Sequence, residues 1–353
     1  MTTTNRKTPT AGAVLPCKPA EADDFLSRPS AEVREALKRT QGPILVLGAG
    51  GKIGLHLSVM LRRALDGLGR KDEVVAVSRF RSLRDCGDFE RRGVTARPCD
   101  LTDRRALAGL PDASTLFFLA GAKFGTADSP ELLRRTNVEM PKLVLERYPS
   151  SRFVVFSTGC VYPFVRPESG GATEQIPPAP VGGYASSCVE REQVFARASE
   201  ERGNPVVLIR LNYSVEFRYG VLVDIAQKVA RGEPVDVAMG HVNVIWQSDA
   251  ISYAIRALEI AGSPAVPINV TGPDTLSVRA LANRFGELMG RPARISGAEA
   301  ETAWLSSAAK AFKLFGKPET PPETMMSWIV AWLSQGGKTW GKPTGFERRD
   351  GRF

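Results

Sequence analysis

The stretch Ile44-Leu-Val-Leu-Gly-Ala-Gly-Gly-Lys-Ile-Gly54 sets the fold of this 353-residue chain. Its first four residues predict a buried strand, and its three spaced glycines (GxxGxxG) separate that strand from a helix predicted to run through Leu61. Glycine permits the positive φ of a tight turn and a close approach of the backbone to a pyrophosphate, while the helix N-terminus offers free N–H groups. This order predicts a dinucleotide site; a βα turn without a ligand is the alternative.

The alternation of strand and helix continues beyond this stretch. Apolar runs predict further strands at residues 74–77, 94–97, 115–119, 152–156 and 205–210, with helices at 131–146 and 184–202. Short apolar runs separated by helix-length segments indicate a parallel sheet covered on both faces. The fold class is therefore α/β: a Rossmann-like doubly wound parallel sheet, followed by a smaller helix-rich substrate domain with predicted helices at 220–231, 249–261, 277–289, 302–314 and 321–335 and a strand at 267–271.

Four regions follow from this pattern. Residues 1–40 hold an N-terminal tail, flexible to about residue 25, and a short helix capped by Ser30. We predict a dinucleotide-binding domain at 41–213, a substrate-binding part at 214–335 and a C-terminal tail at 336–353. The tail is rich in glycine and charge, and the sequence does not decide whether it covers its own chain or a partner subunit.

Composition narrows the functional classes. The chain is 43% hydrophobic and 24% charged, its longest apolar runs fall short of the roughly 18 residues that cross a bilayer, and its N-terminus lacks a secretory signal. We expect a cytoplasmic protein with no membrane contact. Five cysteines and two histidines in no ligand spacing predict no metal site. A net charge of +9 without a basic run interleaved with aromatics predicts a small-molecule substrate and no nucleic acid.

The end of the second strand bears on cofactor choice. An NAD site commonly presents Asp or Glu there to the adenosine ribose. This chain has Ser78 and Arg79, followed by Arg81. A hydroxyl and a guanidinium suit a 2′-phosphate, so NADP is favoured over NAD. The alternative is that both arginines are solvated surface residues.

Several motifs resemble those of the extended short-chain dehydrogenase/reductases, the NAD-dependent epimerase/dehydratase family. Beside GAGGKIG, these are Asp100-Leu101, Leu119-Ala120-Gly121, Asn137-Val138 on a helix, the strand end Phe156-Ser-Thr158, and Arg210-Leu-Asn212-Tyr213. The resemblance implies cofactor contacts from Gly48, Gly50, Gly51, Lys52, Ile53, Gly54, Ser78, Arg79, Asp100, Leu101, Leu119, Ala120, Gly121 and Asn137.

The same resemblance implies hydride transfer at a carbinol or carbonyl carbon of a sugar or nucleotide sugar. Tyr184 would act as acid and base, and Thr158 would hydrogen-bond the same substrate oxygen. Asn212 and Lys123 would contact the substrate. The helices at 131–146 and 184–202 correspond to those that pair in related dimers, so a homodimer is expected.

One departure from the family stands at the catalytic motif. The family's YxxxK motif is here Tyr184-Ala-Ser-Ser-Cys188, so a cysteine stands at the position of the lysine. In the family that lysine lowers the pKa of the tyrosine and holds the nicotinamide ribose. Each pKa unit of lost depression costs about 1.36 kcal/mol. Arg191 or Lys123 are alternative cations, and Cys188 is either a catalytic thiol or inert core. The main hypothesis is an oxidoreductase or epimerase; the alternative is a non-catalytic or regulatory NAD(P)-binding relative.

Overall fold

The computed structural model describes residues 14–81, 83–123 and 129–352. The strands are β1 Ile44–Leu47, β2 Val74–Ser78, β3 Thr95–Pro98, β4 Thr115–Phe118, β5 Arg152–Thr158, β6 Val206–Leu211, β7 Ser214–Val215, β8 Pro234–Asp236, β9 His241–Val242, β10 Ile245–Trp246, β11 Val266–Val270, β12 Leu276–Ser277 and β13 Arg294–Ser296. The helices are α1 Pro19–Leu26, α2 Ala31–Leu37, α3 Gly54–Gly67, α4 Cys86–Glu90, α5 Arg104–Ala108, α6 Pro130–Arg134, α7 Met140–Arg147, α8 Gly182–Arg202, α9 Val221–Arg231, α10 Gln247–Arg256, α11 Val278–Met289, α12 Ala309–Phe315 and α13 Pro322–Ser334.

Seven strands form one parallel sheet in the order β11-β6-β5-β4-β1-β2-β3. The order 3-2-1-4-5-6 within it is that of the doubly wound dinucleotide-binding folds, so the predicted fold class is confirmed. Every residue of β1 and β4 is buried, because one core covers each face of the sheet. The carboxyl ends of β1, β4, β5 and β6 lie along one edge.

The C-terminal half builds a third core on α9, α11 and α13. The helix predicted at 302–314 is wrong in its first half, because α12 begins only at Ala309. Ala303 and Ser306 instead form bridges with Val165 and Ala172 in the long connection before α8. Burial of this extended segment against the connection overrides its helical pattern.

The N-terminal region is more ordered than the sequence predicts. The flexible tail assigned to residues 1–25 is wrong at its end, since α1 covers Pro19–Leu26, while residues 1–13 lie outside the described ranges. Asp23 on α1 binds Arg84 and His56, with oxygen–nitrogen distances of 2.7 and 2.9 Å. These buried partners fix the helix. The predicted cap is confirmed, because Ser30 Oγ accepts from Val33 N at 3.3 Å.

Other helices depart from the predictions in detail. The helix predicted at 131–146 is α6 and α7 joined by a π-helical turn at Arg135–Glu139. Asp249 lies in the first turn of α10 and accepts a hydrogen bond from Thr320 N at 3.0 Å. A 3₁₀ turn at Ala257–Ile260 extends α10 to the predicted end. No described helix is long and apolar enough to cross a bilayer.

Residues 336–352, the C-terminal strap, pack against their own chain. Trp340 Nε1 donates to Glu216 Oε1 at 2.8 Å, and the backbone N–H and hydroxyl of Thr344 both donate to Asp224 Oδ2 at 2.7 Å. Phe346 is buried in the third core. The strap therefore reaches the edge of the sheet where the glycine turn lies.

Candidate active site

A cavity of about 570 Å³ opens at the carboxyl edge of the sheet. Ligands of open α/β sheets bind in this position, outside the carboxyl ends of the strands. The cavity is lined by the glycine turn, the ends of β4, β5 and β6, the start of α8, and residues of the C-terminal half and the strap. From the predicted set these are Gly48, Gly51, Lys52, Ile53, Gly54, Leu119, Gly121, Lys123, Thr158, Tyr184 and Asn212.

The glycine turn is shaped by close backbone contacts. Gly48 has φ +86°, and a Cβ there would lie 2.5 Å from Ala120 N. A Cβ on Gly54 would lie 2.2 Å from Ala49 O. Any side chain at either position would displace backbone. The turn therefore stays bare and close to the end of β4, as a pyrophosphate site requires.

The first turn of α3 lies where this bare backbone ends. Its N-cap is Ile53, and no side chain caps it. A Cβ on Gly50 would lie 2.7 Å from Ser78 Oγ, while Gly51 has only ordinary contacts. The helix N-terminus therefore offers N–H groups and a partial positive charge to an anion. These residues fit the diphosphate of a dinucleotide.

The residues predicted for the adenosine end lie beyond the cavity, at the ends of β2 and β3. Asp100 Oδ1 accepts from the backbone N–H of Thr102 at 3.0 Å, and this bond, with the charge of Arg79 in support, lowers the pKa of Asp100. Leu101 is buried and Arg79 is exposed. Ser78 contacts the glycine turn. Ser78, Asp100 and Leu101 form a shelf next to the glycine turn, and the exposed Arg79 lies at its rim.

Thr158 and Tyr184 line the same cavity. Thr158 ends β5, and its hydroxyl oxygen accepts from Cys160 N at 3.2 Å. Tyr184 lies in the first turn of α8, whose N-cap Val181 provides no side-chain bond. A strand end and the start of the following helix thus place both residues on the wall of one cavity.

Cys188 follows Tyr184 by one turn of α8 and is buried. Burial, and then the adjacent Cys188 thiol, raise the pKa of Tyr184 well above 10, while the charge of Arg191 acts in the opposite direction. Arg191 Nη2 donates to Cys188 Sγ at 3.3 Å. Burial raises the pKa of Cys188 as well, so the thiol is poorly suited to act as a nucleophile.

Asn137 does not line the cavity. Its Oδ1 accepts from Ala122 N at 3.0 Å, and its Nδ2 donates to Ala122 O at 3.1 Å and Ser187 Oγ at 2.8 Å. A Cβ on Gly121 would lie 2.7 Å from Arg191 Nη1 and 2.8 Å from Asn137 Oδ1. These hydrogen bonds join the segment after β4 to α8, and the cofactor contact of Asn137 stays a prediction.

The two predicted substrate residues differ in their surroundings. Asn212 Nδ2 donates to Asn243 Oδ1 at 2.6 Å and Trp304 O at 3.2 Å, which ties the end of β6 to the C-terminal half. Lys123 Nζ lies 5.3 Å from the centroid of the Tyr184 ring. Burial lowers the pKa of Lys123. Lys123 is thus next to the predicted reacting centre, whereas Asn212 mainly positions the wall.

A buried ion pair between Arg210 and Glu192 lies behind the cavity wall. Arg210 Nη2 and Glu192 Oε2 are 2.7 Å apart, and Ser157 Oγ donates to Glu192 Oε1 at 2.5 Å. This pair links β5, β6 and α8 directly behind Thr158 and Arg191. Sequence reasoning did not single out Glu192 or Ser157, although Ser157 adjoins the predicted threonine.

The sequence also does not predict lining residues from distant segments, among them Tyr219, Gln247, Lys342 and Thr344. No spacing connects them to the glycine turn, so only the folded chain brings them there. Among the residues at 14–81, 83–123 and 129–352, no three His, Cys, Asp or Glu side chains come together as a metal site would need.

Residues 44–246 match the sequence family described as the NAD dependent epimerase/dehydratase family. The chain belongs to this family. The match spans more than half of the chain and includes the glycine turn, Thr158, Tyr184 and Asn212. A sequence search of curated proteins finds no match.

Solved structures of similar fold include sugar-nucleotide epimerases. A UDP-glucose 4-epimerase from Thermotoga maritima, solved with UDP-glucose, has a TM-score of 0.70 at 18% identity and covers 83% of this chain and 99% of its own. A UDP-glucose 4-epimerase from Thermus thermophilus, solved with NAD, has a TM-score of 0.69 at 20% identity. The match covers 83% of this chain and 99% of that one. A UDP-glucuronic acid 4-epimerase from Bacillus cereus, also solved with NAD, has a TM-score of 0.70 at 19% identity. The match covers 84% of this chain and 100% of that one. At these identities the likeness shows the shared fold.

Proposed function

We propose that this member of the NAD-dependent epimerase/dehydratase family is an NAD(P)-dependent oxidoreductase or epimerase that acts on a sugar or nucleotide sugar. The observation that carries the proposal is the cavity itself. Thr158 and Tyr184 line the same space as the bare glycine turn. A reacting carbinol held by the two hydroxyl groups would therefore lie beside a dinucleotide bound at the turn.

Different residues of the chain would bind the cofactor, orient the substrate and transfer the proton. The amides of the glycine turn and of the first turn of α3 would hold the diphosphate, and the shelf at Asp100 would hold the adenosine. When bound, the nicotinamide accepts or returns a hydride. Thr158 would orient the substrate oxygen, and Tyr184 would take its proton or give it back. We propose NADP as the preferred form because Ser78 and Arg79 lie at the rim.

Arg191 would replace part of the missing lysine's effect. Its guanidinium contacts the Cys188 thiol, which is next to Tyr184, and its charge favours the tyrosinate. Because an arginine side chain stays protonated, it supplies charge without exchanging a proton. Cys188 would fill space and carry this contact.

The second candidate is a non-catalytic or regulatory relative that binds the cofactor. A specific observation favours it: Cys188 stands at the motif's lysine position and, together with burial, raises the pKa of Tyr184. A tyrosine held in its neutral form is a poor base at neutral pH. The two candidates share the cofactor and differ only in turnover.

Turnover and cofactor binding separate the candidates. The purified protein is titrated with NAD and NADP and then incubated with keto-sugars, polyols and nucleotide sugars, with the products analysed as well as the cofactor absorbance. Turnover that Tyr184→Phe abolishes supports the enzyme. Tyr148→Phe is the matched control, because the Tyr148 hydroxyl donates to Pro111 O away from the cavity. Tight binding without any product supports the non-catalytic relative.

We also propose that the protein is a homodimer. Light scattering of the purified protein, which measures its molar mass in solution, tests this proposal.

A further inference from the structure

The long connection between β5 and α8 separates the two residues proposed to react with the substrate. Thr158 ends β5, and Tyr184 lies in the first turn of α8. Because residues 159–183 lie between them, the path of the chain does not by itself fix the start of α8 relative to the strand. The N-cap of α8 is Val181, which provides no side-chain bond. The position of this helix start therefore depends on contacts with other segments.

The end of the C-terminal strap meets this helix start backbone to backbone. Gly351 is buried, and a Cβ on it would lie 2.2 Å from Val181 O. In the reverse direction, a Cβ on Gly182 would lie 2.7 Å from Gly351 O. Both glycines have positive φ, +70° for Gly351 and +84° for Gly182. The two segments approach this closely because neither carries a side chain at the contact.

The strap also contacts the other end of the connection. The guanidinium carbon of Arg349 lies 4.2 Å from the centroid of the Phe164 ring. Arg349 Nη2 donates to Thr302 Oγ1 at 2.8 Å, and Arg349 Nη1 donates to Thr302 O. Thr302 directly precedes the segment that bridges to the connection. Arg349 and Gly351 thus fasten both ends of the connection to one short stretch of the strap.

The strap is itself anchored before it reaches these contacts. Trp340 N donates to Arg218 O at 3.1 Å, and the N–H and hydroxyl of Thr344 both donate to Asp224 Oδ2 at 2.7 Å. Phe346 is buried in the third core. Thr344 also lines the cavity, so the strap follows the cavity wall on its way to α8. Its end is therefore a fixed support for the helix start.

We propose that the end of the C-terminal strap positions Tyr184 for proton transfer, with Gly351 as the positioning residue that seats the first turn of α8. The inference rests on the proposed function, because it concerns how Tyr184 meets the substrate oxygen. Gly351 does not line the cavity, so it acts through α8 and not on the substrate. The match to the family ends at residue 246, so this support lies outside the matched region.

Alanine at position 351 tests the support. Ordinary contacts begin at 3.4 Å, so Gly351→Ala must push the strap and α8 apart by about 1 Å. Because a displacement of about 1 Å at a reacting group costs about 100-fold in rate, we expect kcat to fall about 10- to 100-fold. Gly336→Ala is the matched control, since Gly336 lies in the strap with φ +74° but a Cβ there would meet no atom within 4 Å. Both variants strain the backbone, and only Gly351→Ala adds the clash.

Two further measurements separate positioning from a general loss of structure, with urea unfolding used to verify that both variants are folded. The amides of residues 186–188 donate to the carbonyls of the first turn of α8, and they should exchange hydrogen about tenfold faster in Gly351→Ala than in Gly336→Ala. The dinucleotide dissociation constant should change less than about twofold, because the amides of the glycine turn are untouched. Unchanged exchange, an equal fall of kcat in both variants, or a loss of dinucleotide affinity as large as the loss of kcat overturns the inference.

Two more variants locate the effect at this contact. Gly182→Ala disturbs the same contact from the helix side, so the double variant should be impaired no more than the worse single variant. Losses of kcat that multiply in the double variant contradict a shared cause. If Gly351→Ala does not fold, Arg349→Met, which removes the bonds to Thr302, should accelerate exchange of the same amides and lower kcat. A wild-type result for Arg349→Met in either measurement then overturns the inference.

Turnover by the wild-type protein keeps the two proposals distinguishable. If the wild-type protein converts its substrate and Gly351→Ala behaves like Gly336→Ala, only the positioning inference falls. If the wild-type protein binds the dinucleotide but converts no substrate, the proposed oxidoreductase falls and takes this inference with it, whatever amide exchange shows.

Discussion

Replacing Arg191 by methionine tests whether this residue supplies the charge that the catalytic motif lacks. Arg191 Nη2 contacts Cys188 Sγ at 3.3 Å, and Cys188 in turn is hydrogen-bonded to Tyr184. Two such successive contacts place the guanidinium at most about 7 Å from the tyrosine hydroxyl. Methionine keeps the length of the side chain and removes the charge.

The magnitude follows from Coulomb's law. At an effective dielectric constant of about 20, two unit charges about 7 Å apart interact by about 2.4 kcal/mol. That energy corresponds to about 1.7 pKa units. Removing the charge raises the pKa of Tyr184 further, so the acidic limb of the kcat/KM profile should move to higher pH by about 1.7 units. At a fixed pH on that limb, turnover should fall about 50-fold.

Steady-state rates across pH measure this shift, with the dinucleotide dissociation constant determined in parallel because Arg191 also donates to Ala120 O at 3.4 Å. Arg191→Lys should restore most of the profile. Arg197→Met on the exposed side of α8 is the matched control. An unmoved profile in Arg191→Met with intact cofactor binding refutes the electrostatic role. So does an equal loss in the control.

Three further predictions concern stability and cofactor choice. Asp23→Asn should lower the free energy of unfolding, measured in urea, by about 3–5 kcal/mol, because it removes the buried counter-charge of Arg84. The control Asp24→Asn breaks a more exposed pair with Arg63 and should lower it by less than about 1 kcal/mol. Burial raises the pKa of Asp249 to about 6, so this carboxyl group lowers the free energy of unfolding progressively between about pH 4 and pH 6 and by a constant amount at higher pH. Asp249→Asn should therefore stabilise the protein at pH 8 by up to about 3 kcal/mol, and this gain should vanish as the pH falls through about 4; an equal gain at both pH values contradicts the titration. Arg79→Ala should weaken NADP about tenfold or more and NAD under twofold, with Arg81→Ala as the calorimetric control; equal losses for both cofactors contradict the 2′-phosphate contact.

The sequence predicts the sheet because its strands are buried on both faces. Runs such as 44–47 and 153–156 are apolar throughout, so no partner has to be known to recognise them. The glycine turn is also recognisable from the sequence, because Gly54 contacts Ala49 within one βα unit and Gly48 has the positive φ of a tight turn. Thr158 and Tyr184 reach the same cavity because a strand end and the next helix start are neighbours in this fold.

Long-range contacts account for what the sequence does not predict. Asp23 orders α1 only through His56 and Arg84, which are distant in the chain. Ala303 lies in a bridge to Val165, although its surroundings in sequence are helical in pattern. Lys342 enters the cavity because Asp224 and Glu216 hold the strap, and no local motif carries that information.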